Sequence, residues 1–214
     1  MSNLLTGCYI SLVCCCIFLY ADDILLASPT ISGLQIILNA CETELTELDM
    51  RINVKKSTCI RFGKRFDEHS AELVSAHGGP IKWVECCRYL GVYFSCGRSL
   101  RCSLDDAKSL FFRAFNAVFS KVGRFASEPV ILSLISTKCM PILLYATDVC
   151  PLLSRQKNSL EFTVTRIFMR LFHTGSADVV RQCQANFGFL SVYNQLCVRT
   201  ARVLQKFTAS ENSL

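Results

Sequence analysis

An α+β chain is predicted, with β-hairpins packed on an amphipathic helix over residues 1–99 and an all-helical region over residues 100–214. Three observations predict it. Short apolar, β-prone runs flank the pair Asp22-Asp23, with Cys14 to Tyr20 before it and Ile24 to Ala27 after it. Apolar residues then recur at spacings of three and four from Leu34 to Leu48, the period of a helix laid on a sheet. From Ser103 onward the helical period takes over, and the join near residues 95–103 is the one sensible domain boundary.

Composition bounds the function classes. A hydrophobic fraction of 51% with 19% charged residues excludes a disordered chain and supplies ample core. Lys and Arg total 23 against 17 Asp and Glu, a formal charge of +6 that is compatible with phosphate-bearing partners. The 14 cysteines contain no C-x-x-C pair, and Cys14-Cys15-Cys16 and Cys86-Cys87 suit neither a zinc knuckle nor a disulfide framework. They read as buried thiols of a reducing compartment. Residues 1–21 carry no charged side chain, which raises a membrane segment as a rival reading. Ser2, Asn3, Thr6, Gly7 and Ser11 dilute that run, and no Lys or Arg precedes it. Two buried strands, Cys8 to Ile10 and Val13 to Tyr20, joined through Ser11-Leu12, account for it better.

A tight turn between the apolar runs puts Asp22 and Asp23 at the tip of a β-hairpin. Adjacent carboxylates repel, and a hard divalent ion such as Mg²⁺ answers that repulsion. A plain polar turn is the competing reading. Ser28-Pro29-Thr30 offers capping oxygens to a helix over Ser32 to Met50, with Leu34, Ile37, Leu38, Cys41, Leu45 and Leu48 inward. Glu42, Glu44, Glu47 and Asp49 are expected away from that stripe. A cationic stretch with Arg51, Lys55, Lys56, Arg61, Lys64 and Arg65 follows, containing a strand from Thr58 to Phe62. Residues 63–80 read as a polar loop bearing His69 and His77. Ile81 to Val84 and Tyr89 to Phe94 form a second hairpin candidate. Beyond it, Ser103 with Asp106 makes a capping box for a helix that stops at Gly123. A second helix begins near Ser127 and is interrupted at Pro141; a third runs from Ser154 to His173 on Leu160, Val164, Ile167, Phe168 and Leu171. Its Arg155, Arg166 and Arg170 are candidates for a basic face. Helices near Ser176 to Asn186 and Ser191 to Phe207 finish the chain.

Tyr20-Ala21-Asp22-Asp23 resembles the palm hairpin motif of reverse transcriptases. Ser32-Gly33-Leu34-Gln35, Asn53-Val54-Lys55-Lys56-Ser57 and Arg88-Tyr89-Leu90-Gly91-Val92 follow in the order shown by the non-LTR (LINE-type) retrotransposon branch. The resemblance implies a partial polymerase palm over residues 1–99 and a helical thumb and connecting region over 100–214. It implies two-metal nucleotidyl transfer with Mg²⁺ or Mn²⁺, two ions in a complete enzyme, Asp22 and Asp23 being ligands and Asp22 the stronger candidate. Lys55 or Lys56 is implied as the cation that offsets charge on the pyrophosphate leaving group, the two being left undecided. Tyr20, Arg88, Tyr89 and Gly91 are implied to face nucleic acid, the last three in a primer-grip strand where glycine admits a close backbone and Tyr89 and Tyr93 share a face. An ordinary strand pair with an aromatic face is the competing reading for that segment. The implied partners are an RNA template, a DNA primer and deoxynucleoside triphosphates, in the cytoplasm and nucleus, with no stable membrane association.

The family takes a further metal ligand from an earlier strand, in a Lys-Ala-Phe-Asp type segment, and the 21 residues before Asp22 hold no carboxylate. The resemblance therefore implies the C-terminal palm and thumb alone, as a truncated copy, degraded element or partial gene, inactive by itself. A non-catalytic nucleic-acid-binding remnant and a small membrane-anchored protein are the alternatives.

Overall fold

The computed structural model describes residues 8–10, 13–15, 17–123, 125–148 and 150–209, and the side chains of 8–15 and of 207 lie outside that description. The expected Ser11-Leu12 link also lies outside the described residues. The chain divides into two compact units, one of residues 1–87 with 95–100 and one of residues 88–94 with 101–213. No helix among the described residues is long and apolar enough to cross a membrane.

In the first unit, β1 (Cys8–Ile10) pairs antiparallel with β2 (Val13–Cys15), and β3 (Ile17–Tyr20) pairs antiparallel with β4 (Asp23–Leu26). The expectation of burial fails for β3, because Ile17, Leu19 and Tyr20 are all exposed. A two-stranded ribbon can cover only what packs on its faces, and here Leu26 is the hairpin residue that reaches the core.

Helix α1 (Ile31–Glu47) starts where Thr30, in extended backbone, accepts the Gly33 N–H on its hydroxyl at 3.0 Å. Its Leu38 packs with Leu73 and Ile81, and Leu26, Leu34, Ile52, Val54, Cys59 and Trp83 border that cluster. Glu42 corrects the expected polar face. It is 5% exposed, and its carboxylate accepts the Ser75 hydroxyl and, at 2.9 Å, the Ala76 N–H. Its place four residues after Leu38 sets it beside the apolar row, where a carboxylate persists only with donors in reach.

Residues 63–80 are not all loop. Strand β6 (Leu73–Ser75) pairs antiparallel with β7 (Gly79–Trp83), whose other edge pairs in parallel with β5 (Thr58–Cys59). Leu73 and Ser75 are buried around an exposed Val74, a strand alternation too short to stand out among polar neighbours. Strand β5 is also shorter than expected, and Phe62 makes only an isolated parallel bridge to Gly97. The segment from Ile81 thus joins the β5–β7–β6 sheet rather than pairing with Tyr89 to Phe94.

The second hairpin lies further along, between β8 (Cys86–Tyr89) and β9 (Val92–Ser95), and β10 (Arg101–Ser103) pairs with β9's other edge. Residues 88–94 belong to the second unit. Apart from β10, its remainder is built of helices: α2 (Asp105–Val122), α3 (Glu128–Leu134), α4 (Met140–Leu143), α5 (Ser154–Leu171), α6 (Ala177–Asn186) and α7 (Val192–Ala209). The expected stripe of α5 is its buried face: Leu160, Val164, Ile167, Phe168 and Leu171 sit in one core with Phe111, Phe115, Ile135, Leu143 and Val180. Each such side chain contributes about 1.5–3 kcal/mol on burial, so this face rather than propensity holds the helix.

Local chemistry sets the helix ends. Ser103 accepts the Asp105 N–H at 3.4 Å and no capping box with Asp106 forms, because Ser103 ends β10 two residues before the helix. Gly123 stays right-handed at φ −62°; its requirement is space, since a Cβ would lie 2.5 Å from the Phe119 carbonyl oxygen. Between α3 and α4 the chain takes a π-helical turn, Ile135–Cys139, in which Met140 N–H reaches back to the Ile135 carbonyl. That wider turn admits Pro141, which lacks an N–H and opens α4 rather than ending it. Across the core, Glu161 of α5 accepts the Val192 N–H at 2.9 Å and so caps α7 with a carboxylate.

Candidate functional site

The β3–β4 hairpin has a loop of two residues, Ala21 and Asp22, because Tyr20 pairs with Asp23. Ala21 adopts φ +52°, the left-handed backbone that glycine usually supplies at such a turn. A non-glycine residue held there stores about 1–3 kcal/mol of strain, a cost that concentrates at functional sites. The register separates the two carboxylates. Asp22 stands in the loop, whereas Asp23 is in the ladder on the face shared by Phe18, Tyr20 and Leu25. Both are exposed, as is Tyr20 at 63%. Among the described residues neither carboxylate forms a side-chain hydrogen bond or an ion pair.

Lys55 and Lys56 lie in the turn after α1, and both are exposed. Asn53 builds that turn: its carbonyl accepts the Lys56 and Ser57 N–H groups at 3.0 and 2.9 Å, and its side-chain oxygen accepts Lys56 N–H at 3.3 Å. The lysine ammonium groups make no ion pair among the described residues. In the sequence Asn53 stands only as the first residue of the Asn53–Ser57 motif, without a role of its own, though Asn at the head of a turn signals a side chain that can hydrogen-bond nearby backbone.

Arg88 and Tyr89 end strand β8, and Gly91 is corrected from a strand position to the hairpin tip. Leu90 at φ +47° and Gly91 at φ +79° form a two-residue turn with both residues left-handed. Gly91 faces protein, since a Cβ there would lie 3.3 Å from the Tyr145 ring. The Tyr145 hydroxyl donates to the Leu90 carbonyl at 3.0 Å, so the tip is docked on the turn that follows α4. Arg88 stacks over the Tyr93 ring with 5.7 Å to its centroid. Tyr145 is the second residue missed in the sequence; an aromatic fifty-five positions away carries no local signal.

On the helical unit, Arg170 donates to Asn116 at 2.7 Å and lies over Phe119 at 5.1 Å, while Arg166 lies over Phe112 at 5.9 Å. Arg155, Arg166 and Arg170 are all exposed, and so is Phe162 between them on α5. Cationic groups interleaved with aromatics make a surface suited to phosphates and bases.

No group of three or more His, Cys, Asp or Glu side chains among the described residues is placed to hold a metal ion. Two adjacent carboxylates at an exposed tip do not by themselves clamp two ions about 4 Å apart. The residues described here therefore do not fit a complete two-metal centre. The cysteines whose side chains are described, from Cys41 to Cys197, are free thiols.

Residues 1–94 match the family model described as Reverse transcriptase (RNA-dependent DNA polymerase). No curated protein and no solved structure matches the chain.

Proposed function

We propose, from the reverse-transcriptase match over residues 1–94, that this chain carries the C-terminal palm hairpin and the thumb of a non-LTR, LINE-type polymerase. The observation that carries the reading is the hairpin itself. Two carboxylates stand exposed at a two-residue turn, Tyr20 pairs with Asp23, and Ala21 bears the backbone strain that aims them outward. The partners in this reading are a template RNA, a primer DNA and deoxynucleoside triphosphates, with Mg²⁺ or Mn²⁺ as cofactor once further carboxylate ligands are supplied. Lys55 and Lys56 offer positive charge on a turn of the same unit, suited to a triphosphate. The helical unit supplies the strand-tracking surface, and the Leu90-Gly91 tip is held in register by Tyr145.

The chain alone is not competent for nucleotidyl transfer in this reading, because its described carboxylates do not complete the metal centre. Fusing the N-terminal palm and fingers of a LINE-type relative ahead of Gly7 should give a chimera that extends a DNA primer on RNA. Asp22→Ala in that chimera should abolish extension while leaving template binding intact. A folded, active chimera indifferent to Asp22→Ala would overturn the assignment.

The arginines and Phe162 of α5 favour a second reading, a nucleic-acid-binding module without catalysis. A chimera that stays folded and binds template-primer but never extends it would favour that reading.

A further inference from the structure

Apart from the hairpin, the helical unit contains an open cavity of about 520 Å³, within the size range of small-molecule sites. Its walls are α3 with the π-helical turn on one side, α7 on the other, and the Phe187–Leu190 turn between them. Two arginines line it one helical turn apart, Arg199 and Arg202, and two hydroxyls line the opposite wall, Ser133 and Ser136. The remaining wall is apolar and includes Phe187, Leu190 and Val198, all exposed to the cavity or to solvent.

Arg199 is incompletely used by the protein. Its Nη2 stands 3.8 Å from Asp148 Oδ1, a loose pairing, and its Nε is buried without a hydrogen-bond partner among the described residues. A guanidinium has five donors in a planar fork, and one distant carboxylate oxygen cannot satisfy them. A tie between α7 and the segment at Asp148 would account for Arg199 alone. It would not account for Arg202, Ser133 and Ser136 lining the same cavity. Four donor side chains around one cavity match a tetrahedral anion with several acceptor oxygens better than they match a carboxylate. Phe187 is stacked against Phe172 with ring centroids 5.7 Å apart, which holds its ring as a ready platform beside those donors.

We infer that this cavity binds the phosphate group of a nucleotide, the phosphate on Arg199, Arg202, Ser133 and Ser136 and the base against Phe187, Leu190 and Val198. The phosphate comes either from a free mononucleotide or from the end or backbone of a strand. The inference does not depend on the polymerase reading, because every residue it uses lies in the helical unit and none in the hairpin.

Calorimetric titration of the full chain with inorganic phosphate, thymidine monophosphate and a ten-nucleotide oligothymidylate tests it. Thymidine monophosphate should bind one to one and more tightly than inorganic phosphate. Arg202→Ala, an exposed position, should weaken that binding at least tenfold with an unchanged melting temperature. Arg199→Lys keeps the charge beside Asp148 but removes the fork, and should weaken it comparably; Ser133→Ala should weaken it about threefold. Binding of the oligonucleotide but not the mononucleotide, with the same sensitivity to the variants, identifies a strand as the source. Absence of binding by both nucleotide ligands, or binding unchanged in both arginine variants, overturns the proposal. Oligonucleotide binding lost instead on Arg166→Ala would place the strand on α5 and likewise overturn it.

Discussion

Asp22 and Asp23 are separated by one peptide bond yet occupy different structural positions, loop and ladder, because the pairing of Tyr20 with Asp23 closes the turn after two residues. With no third acidic or imidazole group placed beside them among the described residues, they should hold Mg²⁺ only weakly, since that ion dehydrates reluctantly. Calorimetry is expected to show millimolar or weaker affinity; a micromolar site lost in Asp22→Ala would contradict this. Glu42 presents the opposite situation, a carboxylate drawn inward and satisfied. Glu42→Ala leaves the buried Ser75 hydroxyl and the Ala76 N–H without their acceptor, and should cost about 2–3 kcal/mol. Urea denaturation followed by circular dichroism measures it, and a loss under 0.5 kcal/mol would show that water replaces the carboxylate. The spacing Leu34, Leu38, Glu42 was visible in the sequence, but the donors that permit the burial lie at the end of a strand, thirty-three and thirty-four residues away.

At the scale of elements, the tip of the β8–β9 hairpin belongs to the helical unit and rests there on Tyr145. Gly91 meets two demands at once, a left-handed φ of +79° and 3.3 Å clearance from Tyr145. Gly91→Ala should therefore destabilise the helical unit's hairpin by about 1–3 kcal/mol. Tyr145→Phe removes only the hydroxyl donor to Leu90 and should cost about 1 kcal/mol. Hydrogen exchange at residues 88–94 reads both, and protection unchanged in Gly91→Ala would remove the docking role. Helix α5 was readable to within two residues at its end because its five apolar positions repeat at helical spacing and all five are buried. Strand β6 was not, because three residues with one exposed apolar side chain give no period to detect.

Across the whole molecule, half-buried thiols tie stability to pH. Burial pushes Cys59 in the first unit up to about 11 from an ordinary 9.0. Burial, then the Cys102 thiol and Asp148, push Cys150 in the second unit up to about 12. Above pH 9 the unfolded chain loses these protons while the folded chain keeps them. The unfolded state then binds fewer protons, so stability falls as pH rises from about 9 towards 11–12. Melting temperatures between pH 8 and 11 should decline, and Cys59→Ala with Cys150→Ala should flatten that decline; an unchanged slope in the double variant would assign it to other groups. The same shifts predict that iodoacetamide at pH 8 labels the exposed Cys86 and Cys197 well before Cys59 and Cys150, since the thiolate is the nucleophile.

The sequence by itself determined the hairpin at Asp22-Asp23, the capped helix behind it and the long helices after Ser103. Each of these is written in neighbouring residues: an apolar run on either side of a turn, or a repeat every three to four positions. Only the tertiary structure decided that Glu42 turns inward, that Ile81 pairs with Leu73 rather than with the next strand, and that Gly91 rests on Tyr145. These depend on partners 8 to 55 residues distant in the chain, and a local pattern cannot encode which distant donor, strand edge or ring will be there to meet it.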